Sequence, residues 1–174
     1  STLHKVMNQP DYYKISEEIG AELNQYLLDF YHSMETPVFD KIIEGNFVEA
    51  LYEDYILKRK LKVKKGHVRA NWVYIAAKIL LGKEITIKEL LPSMAAIELC
   101  MWSSYTYNWI LDNKNIGTKD PKQRMSDLIT LGYLMHHDIL KLPLQDSTKL
   151  FIFDTWFSNS ALGYASENFT RFKD

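Results

Sequence analysis

Seven glycines and five prolines are all that interrupt 174 residues otherwise rich in Leu, Ile, Lys, Glu and Tyr. These two residues are the strongest breakers of regular structure, so a chain with so few of them folds into long elements joined by few turns. Apolar residues recur at spacings of three and four, the period of a helix with one buried side. The fold class expected is all-α.

The first such segment covers about residues 12–33. There Ile15, Ile19, Leu23, Tyr26, Leu27 and Phe30 form a stripe opposite Glu17, Glu18, Glu22 and Gln25. Thr36 and Pro37 start a short helix that Gly45 stops. A further helix is expected over about residues 46–60, with Phe47, Leu51, Tyr55 and Ile56 on one side. It leads into the basic run Lys58-Arg59-Lys60-Leu61-Lys62-Val63-Lys64-Lys65-Gly66, read as a helix end and loop.

Residues 68–81 are apolar on nearly every side, the pattern of a helix buried in the interior, and Gly82 ends it. Thr86 and Glu89 stand in the capping-box relation, which satisfies orphan N–H groups at a helix entry. A long helix to about residue 113 follows, with Pro92 as a kink or restart. Residues 113–122 read as a polar loop, and residues 125–142 and 147–172 resume the helical period. No repeat or linker divides the chain, so residues 1–174 are read as a single helical domain.

Charge and cysteine usage exclude several classes. Lys and Arg together number 21 against 22 Asp and Glu, a net charge of −1, so no global field draws in nucleic acid. One cysteine, Cys100, cannot close an internal disulfide, and the N-terminal residues lack the apolar core of a signal peptide; the expected setting is cytoplasmic. The most apolar stretch, residues 73–81, is broken by Lys78 and is shorter than the roughly 20 residues of a membrane helix. No transmembrane segment is expected. The lysine-rich residues 58–65 are read as solvated, with at most a weak contact to an anionic membrane surface.

The segment most informative for function is Ala95-Ala96-Ile97-Glu98-Leu99-Cys100-Met101-Trp102-Ser103-Ser104-Tyr105-Thr106-Tyr107-Asn108-Trp109-Ile110-Leu111-Asp112-Asn113. Small and apolar residues alternate with hydroxyls, which suits either the wall of a cavity between helices or a tightly packed core helix.

This segment is similar to the helix of trans-isoprenyl (polyprenyl) diphosphate synthases that reads A-x-E-L-x-x-x-x-S-L-x-H-D-D-x-x-D-N and presents their first aspartate-rich motif. Ala96, Glu98, Leu99, Ser104, Asp112 and Asn113 stand at its matching letters. Upstream, Lys65-Gly66-His67-Val68-Arg69-Ala70 lies where that family has its G-K-R-x-R-P diphosphate loop. Downstream, His137-Asp138 resembles a G-D pair one helix later. The resemblance covers roughly residues 64–140 and implies a truncated isoprenoid-synthase-like helical bundle.

The departures shape what the resemblance implies. The family binds magnesium through carboxylates one turn apart, because a hard cation wants oxygen ligands and a leaving diphosphate needs its charge offset. Asn108 and Trp109 replace two of those aspartates, so Asp112 alone remains of the motif. An amide is a weak ligand and an indole is none, and the indole's bulk is expected to intrude where the metal belongs. In the diphosphate loop Arg69 is the sole matching cation, with His67 and Lys65 beside it. There is no Asp-Asp pair, and the sequence ends at Asp174, before the family's second aspartate-rich motif. Without such pairs the electrostatic stabilisation of the departing group is lost.

The resemblance therefore implies no catalytic residue and no metal ligand set in this chain. Arg69, His67 and Lys65 are the diphosphate-loop remnant, and Asn108, Trp109 and Asp112 the aspartate-motif remnant. Ser103 and Ser104 are the residues of a chain-length groove, where small side chains leave room for a hydrocarbon. No cofactor is expected on the chain alone, and magnesium is expected in a partner. That partner is a catalytic isoprenyl diphosphate synthase subunit, met through apolar helix faces that a shortened bundle leaves uncovered. The function so implied is that of a non-catalytic or regulatory subunit of a heteromeric trans-isoprenyl diphosphate synthase, stabilising its partner and shaping product length. Isoprenoid diphosphates are reached through the partner.

Other readings compete. One is an active but divergent prenyltransferase or terpene cyclase using Asp112, Asn108 and Asp138. Another is a metal-carrying bundle built on His136, His137 and Asp138 with Asp29 and His32, although no Glu-x-x-His occurs. For His136 and His137 the simpler reading is a helix-surface pair with one ring packed inward. A last reading is a lipid-binding bundle that keeps a hydrocarbon tunnel without the chemistry.

Overall fold

The computed structural model describes residues 10–33, 68–82, 84–112 and 120–171. The helices expected over residues 36–45 and 46–60, and the lysine-rich run after them, lie outside the described residues. Everything described is helix or short connection, with no strand among the described residues. The elements are α1 (Pro10–Ser33), α2 (Val68–Leu81), α3 (Ile87–Leu111), α4 (Pro121–Lys141) and α5 (Asp146–Phe151). A π-helical stretch (Ile152–Phe157) then runs without a break into α6 (Ser158–Arg171). No described helix is long and apolar enough to cross a membrane.

The entry of α3 follows from its first residues. Glu89 N donates to Thr86 Oγ1 at 3.3 Å while the Thr86 backbone N donates to Glu89 Oε2 at 2.7 Å, so two orphan donors are satisfied reciprocally. The Thr86 N–H and hydroxyl hold the Glu89 carboxyl below its ordinary pKa. Pro92 lies inside α3 and removes one rung of the ladder without ending it. At the other boundary, α2 stops at Leu81 because Gly82 takes a positive φ of 99°, which side-chain-bearing residues rarely adopt.

The central helix is α3. It packs against α1, α2 and α4, and Leu90, Met94, Leu99, Cys100, Trp102, Ser103, Thr106 and Trp109 are all buried on it. Its run of Ala95, Ala96, Cys100 and Ser103 lets neighbours approach on several sides. The core they enter contains Ile19, Leu23 and Leu27 of α1 and Leu128, Leu131, Met135 and Ile139 of α4. Between α1 and α2 a buried polar link is made by Asn71 Nδ2 donating to Ser16 Oγ at 2.7 Å.

The expectation that residues 68–81 form the interior helix is corrected. Only Ala70, Asn71 and Ala77 of α2 are buried, and Ile79, Leu80 and Leu81 are 76%, 79% and 71% exposed. Apolarity on every side records what a helix tolerates, and it does not count how many neighbours the fold supplies. In α2 one face meets α1 and α3 while the apolar side chains of its last turn stay exposed.

The C-terminal helix is tied to α4 where the two join. Lys149 Nζ donates to the Leu140 carbonyl at 2.8 Å, satisfying an orphan acceptor in the last turn of α4. Within Ile152–Phe157 the backbone widens to the π form, and the Thr155 hydroxyl donates to the Phe151 carbonyl at its start. Hydroxyl back-bonding of this kind competes with the helix ladder and favours local distortion. Phe153 and Phe157 of this stretch meet His136 of α4, beside the site described next.

Candidate functional site

The C-terminal half of α3 carries the aspartate-motif remnant. Asn108 is exposed, and Asp112 is exposed at the helix C-cap, where its backbone N–H donates to the Asn108 carbonyl at 2.8 Å. Trp109 is packed inward. It is 3% exposed in the core and stacks on Tyr105, with ring centroids 6.2 Å apart and planes 19° apart. The indole is taken up by core packing, one helical turn before the exposed Asp112. Among the described residues of this end of α3, Asp112 is the carboxylate and Asn108 the amide available to a hard cation.

Arg69 is half-buried in the first turn of α2. His67 and Lys65 lie outside the described residues. The His136, His137 and Asp138 group diverges: His136 faces Phe157, while His137 is exposed with Nδ1 3.4 Å from Oδ1 of buried Asp138. Asp29 is exposed and accepts from Gln25 Nε2 at 2.8 Å, and the His32 side chain lies outside the described residues. Among the described residues no three His, Cys, Asp or Glu side chains are grouped to hold a metal ion.

Ser103 and Ser104 stand at a cleft of about 570 Å³ between α3, α4 and α6. That volume lies within the usual range of small-molecule sites. Leu128, Ile129 and Gly132 of α4 and Ala161 and Ala165 of α6 supply much of its wall. The hydroxyls on the α3 side are already engaged with their own helix. Ser103 Oγ donates to the Cys100 carbonyl at 2.8 Å, Ser104 Oγ to the same carbonyl at 3.1 Å, and Thr106 Oγ1 to the Ser103 carbonyl at 2.6 Å. Each hydroxyl has thus given its proton to its own helix and keeps only acceptor capacity.

Two sets of contacts flank the cleft. At one end His136 lies 3.9 Å from the Phe157 ring and meets Phe153 edge-on at 6.3 Å. Burial pushes the His136 pKa below its ordinary value, because a charged imidazole loses hydration there. At the other end Tyr107 stacks on Tyr164 with centroids 4.0 Å apart, and Asn168 Nδ2 donates to the Tyr107 hydroxyl at 2.6 Å. Tyr164 Oη reaches the Ser104 carbonyl at 3.4 Å.

Tyr107, His136, Phe157, Tyr164 and Asn168 were not singled out by sequence reasoning as a common site. The available signal was the four-residue spacing of Ala161 with Ala165 and of Tyr164 with Asn168, which puts small residues and polar rings on adjoining strips of α6. No protein-family model, curated protein or solved structure matches the chain.

Proposed function

We propose that this chain is a non-catalytic subunit of a heteromeric trans-isoprenyl diphosphate synthase, stabilising a catalytic partner and contributing to product chain length through the α3–α4–α6 cleft. The observation that carries the reading is the arrangement along one helix. On α3 Asp112, the one aspartate left at the motif positions, stands exposed at the C-terminal end, and Ser103 and Ser104 stand two turns earlier on an apolar cleft. The first feature lacks the means to ionise a diphosphate, and the second offers room for a hydrocarbon. Magnesium and the diphosphate then belong to the partner. In this reading the described helices are part of an isoprenoid-synthase-like bundle working in the cytoplasm.

The test has two arms. The isolated chain, given magnesium and an allylic diphosphate, is expected to show no condensation or cyclisation above the protein-free blank; turnover would establish the divergent-enzyme reading instead. The chain is also captured from its native host, and prenyl transfer is assayed with and without it. A change in product length on adding the chain, and a shift to shorter products with Ser104→Phe, supports the proposal. An unchanged product distribution in both comparisons sinks it.

A further inference from the structure

We propose that residues 146–171 form a strap that swings off α3 and α4 as one unit about the 142–145 connection, giving the cleft a closed and an open state. This motion belongs to the chain by itself and does not depend on the partnership proposed above.

The strap is seated without being enclosed. No residue of α5, the π-helical stretch or α6 is buried, whereas Ile19, Leu23 and Leu27 of α1 and Leu128 and Ile139 of α4 are fully so. Its seat is made by the half-buried side chains of Ile152, Phe153, Trp156 and Phe157, packed against the outside of the core. An element with few enclosed apolar groups lies at the low end of local stability and opens before the rest of the molecule.

Two clasps hold it. Phe153 and Phe157 meet His136 of α4 near its middle, and Tyr164 and Asn168 meet Tyr107 of α3 toward its end. The helix runs unbroken between them, so the clasps sit on one rod and release together. At the joint Leu142 is fixed by burial, while Pro143 and Gln145 beyond it are exposed and outside any helix. A few residues so placed are enough to absorb the change of backbone angle at a hinge. The bond from Lys149 to the Leu140 carbonyl crosses the joint close to the pivot, on a long side chain able to follow the swing.

The closed position also carries costs that opening relieves. The Ser158 N–H donates to the Phe153 carbonyl five residues back, the π form, which is rare in proteins and frequent at functional sites. The Trp156 indole N–H and the Asn168 amide oxygen are each shielded from solvent without a hydrogen-bond partner. Groups left in that state are destabilising, and both regain water when the strap lifts. All three costs fall on the one stretch of helix that has no buried residue. Clasps opposed by penalties on the same element leave the closed state only weakly favoured.

Hydrogen–deuterium exchange of the full chain, resolved by peptide, tests the motion. The amides of residues 146–171 are expected to exchange as a group, at least about tenfold faster than those of α1 and α3. Asn168→Ala removes part of the far clasp and is expected to speed exchange roughly threefold or more over the whole strap, α5 included. Ile19→Val trims the α1 core mildly enough to keep the fold. It is expected to speed exchange in α1 and α3 roughly two- to tenfold and to leave the strap unchanged, because the strap opens without unfolding them. Four results would each overturn the inference: a strap as slow as α3, exchange graded inward from Arg171 as in simple fraying, an Asn168→Ala effect confined to the last turns, or a strap accelerated by Ile19→Val. The pattern in the parent chain decides between the first two without any variant. None of these outcomes bears on product length, which remains the test of the subunit reading.

Discussion

Asn168 and Tyr107 are 61 residues apart in sequence and joined by a 2.6 Å hydrogen bond, the shortest polar link described between α6 and the central helix α3. The stacking of Tyr107 on Tyr164 lies beside it, so one tyrosine receives both contacts that hold this end of α6 in place. Replacing Asn168 by Ala is expected to cost about 1 kcal/mol, the net worth of such a bond. Tyr107→Phe should cost a similar amount, and the double variant little more than either, because both remove the same interaction. Urea unfolding of the four proteins measures the coupling. Additive losses would mean that the bond contributes nothing of its own.

His136 makes stability depend on pH in a definite direction. Its pKa in the folded chain lies below the ordinary 6.5 because burial beside Phe157 disfavours the charged ring. The unfolded chain therefore binds the proton more readily. The contribution of the neutral ring is complete above 6.5 and is lost as the pH falls from there through the depressed folded value. His136→Leu removes this dependence, so the parent-minus-variant difference in unfolding midpoint should be constant above about pH 7 and shrink on acidification toward pH 5. A difference that grows on acidification would reverse the assignment.

The helices were legible where local rules set them. The stripe of Ile19, Leu23 and Leu27, the Thr86–Glu89 box and the Gly82 stop are properties of neighbouring residues, and each lies where its spacing predicts. What escaped is what depends on partners distant in sequence. Ile79, Leu80 and Leu81 look like core by composition, yet all three are exposed, because burial depends on which neighbours the fold supplies. The π stretch was equally silent, because one widened turn at Ile152–Phe157 leaves the period of apolar residues nearly intact while re-aiming Phe153 and Phe157. At the candidate site, Ser103 and Ser104 could be named from their own segment, but the α6 wall facing them could not. Trp109 makes the same point: its place in a motif can be read from the sequence, while its burial beside Tyr105 is decided by packing.

Gly132 and Thr106 mark the closest approach of α4 to α3 within the cleft. Adding a Cβ at Gly132 would ordinarily stabilise a helix by about 0.5–1 kcal/mol relative to Gly. Here that atom meets Thr106 Oγ1 at 3.1 Å, and the β-branched side chain is held by its bond to the Ser103 carbonyl, so it has little freedom to yield. Gly132→Ala is therefore expected to destabilise by about 1 kcal/mol. In a Thr106→Ala background the same substitution should become stabilising. Chemical unfolding of the single and double variants reads the change of sign, and a stabilising Gly132→Ala in the parent would show that the helices have room to spare.

Cys100 supplies a probe of the whole core. Its thiol is 2% exposed on the central helix, and burial pushes its pKa up to about 12. Alkylation needs the thiolate and access to it, and the folded chain withholds both. Reaction with iodoacetamide at neutral pH should then proceed only through the unfolded fraction, roughly 10³-fold or more slower than in strong denaturant. Substitutions that weaken the core around it, such as Leu99→Ala at a cost of about 2–5 kcal/mol, should raise the labelling rate in step with the loss of stability. Rapid labelling of the undisturbed protein would mean that α3 is reached by local opening, and that its neighbours cover it less firmly than their burial implies.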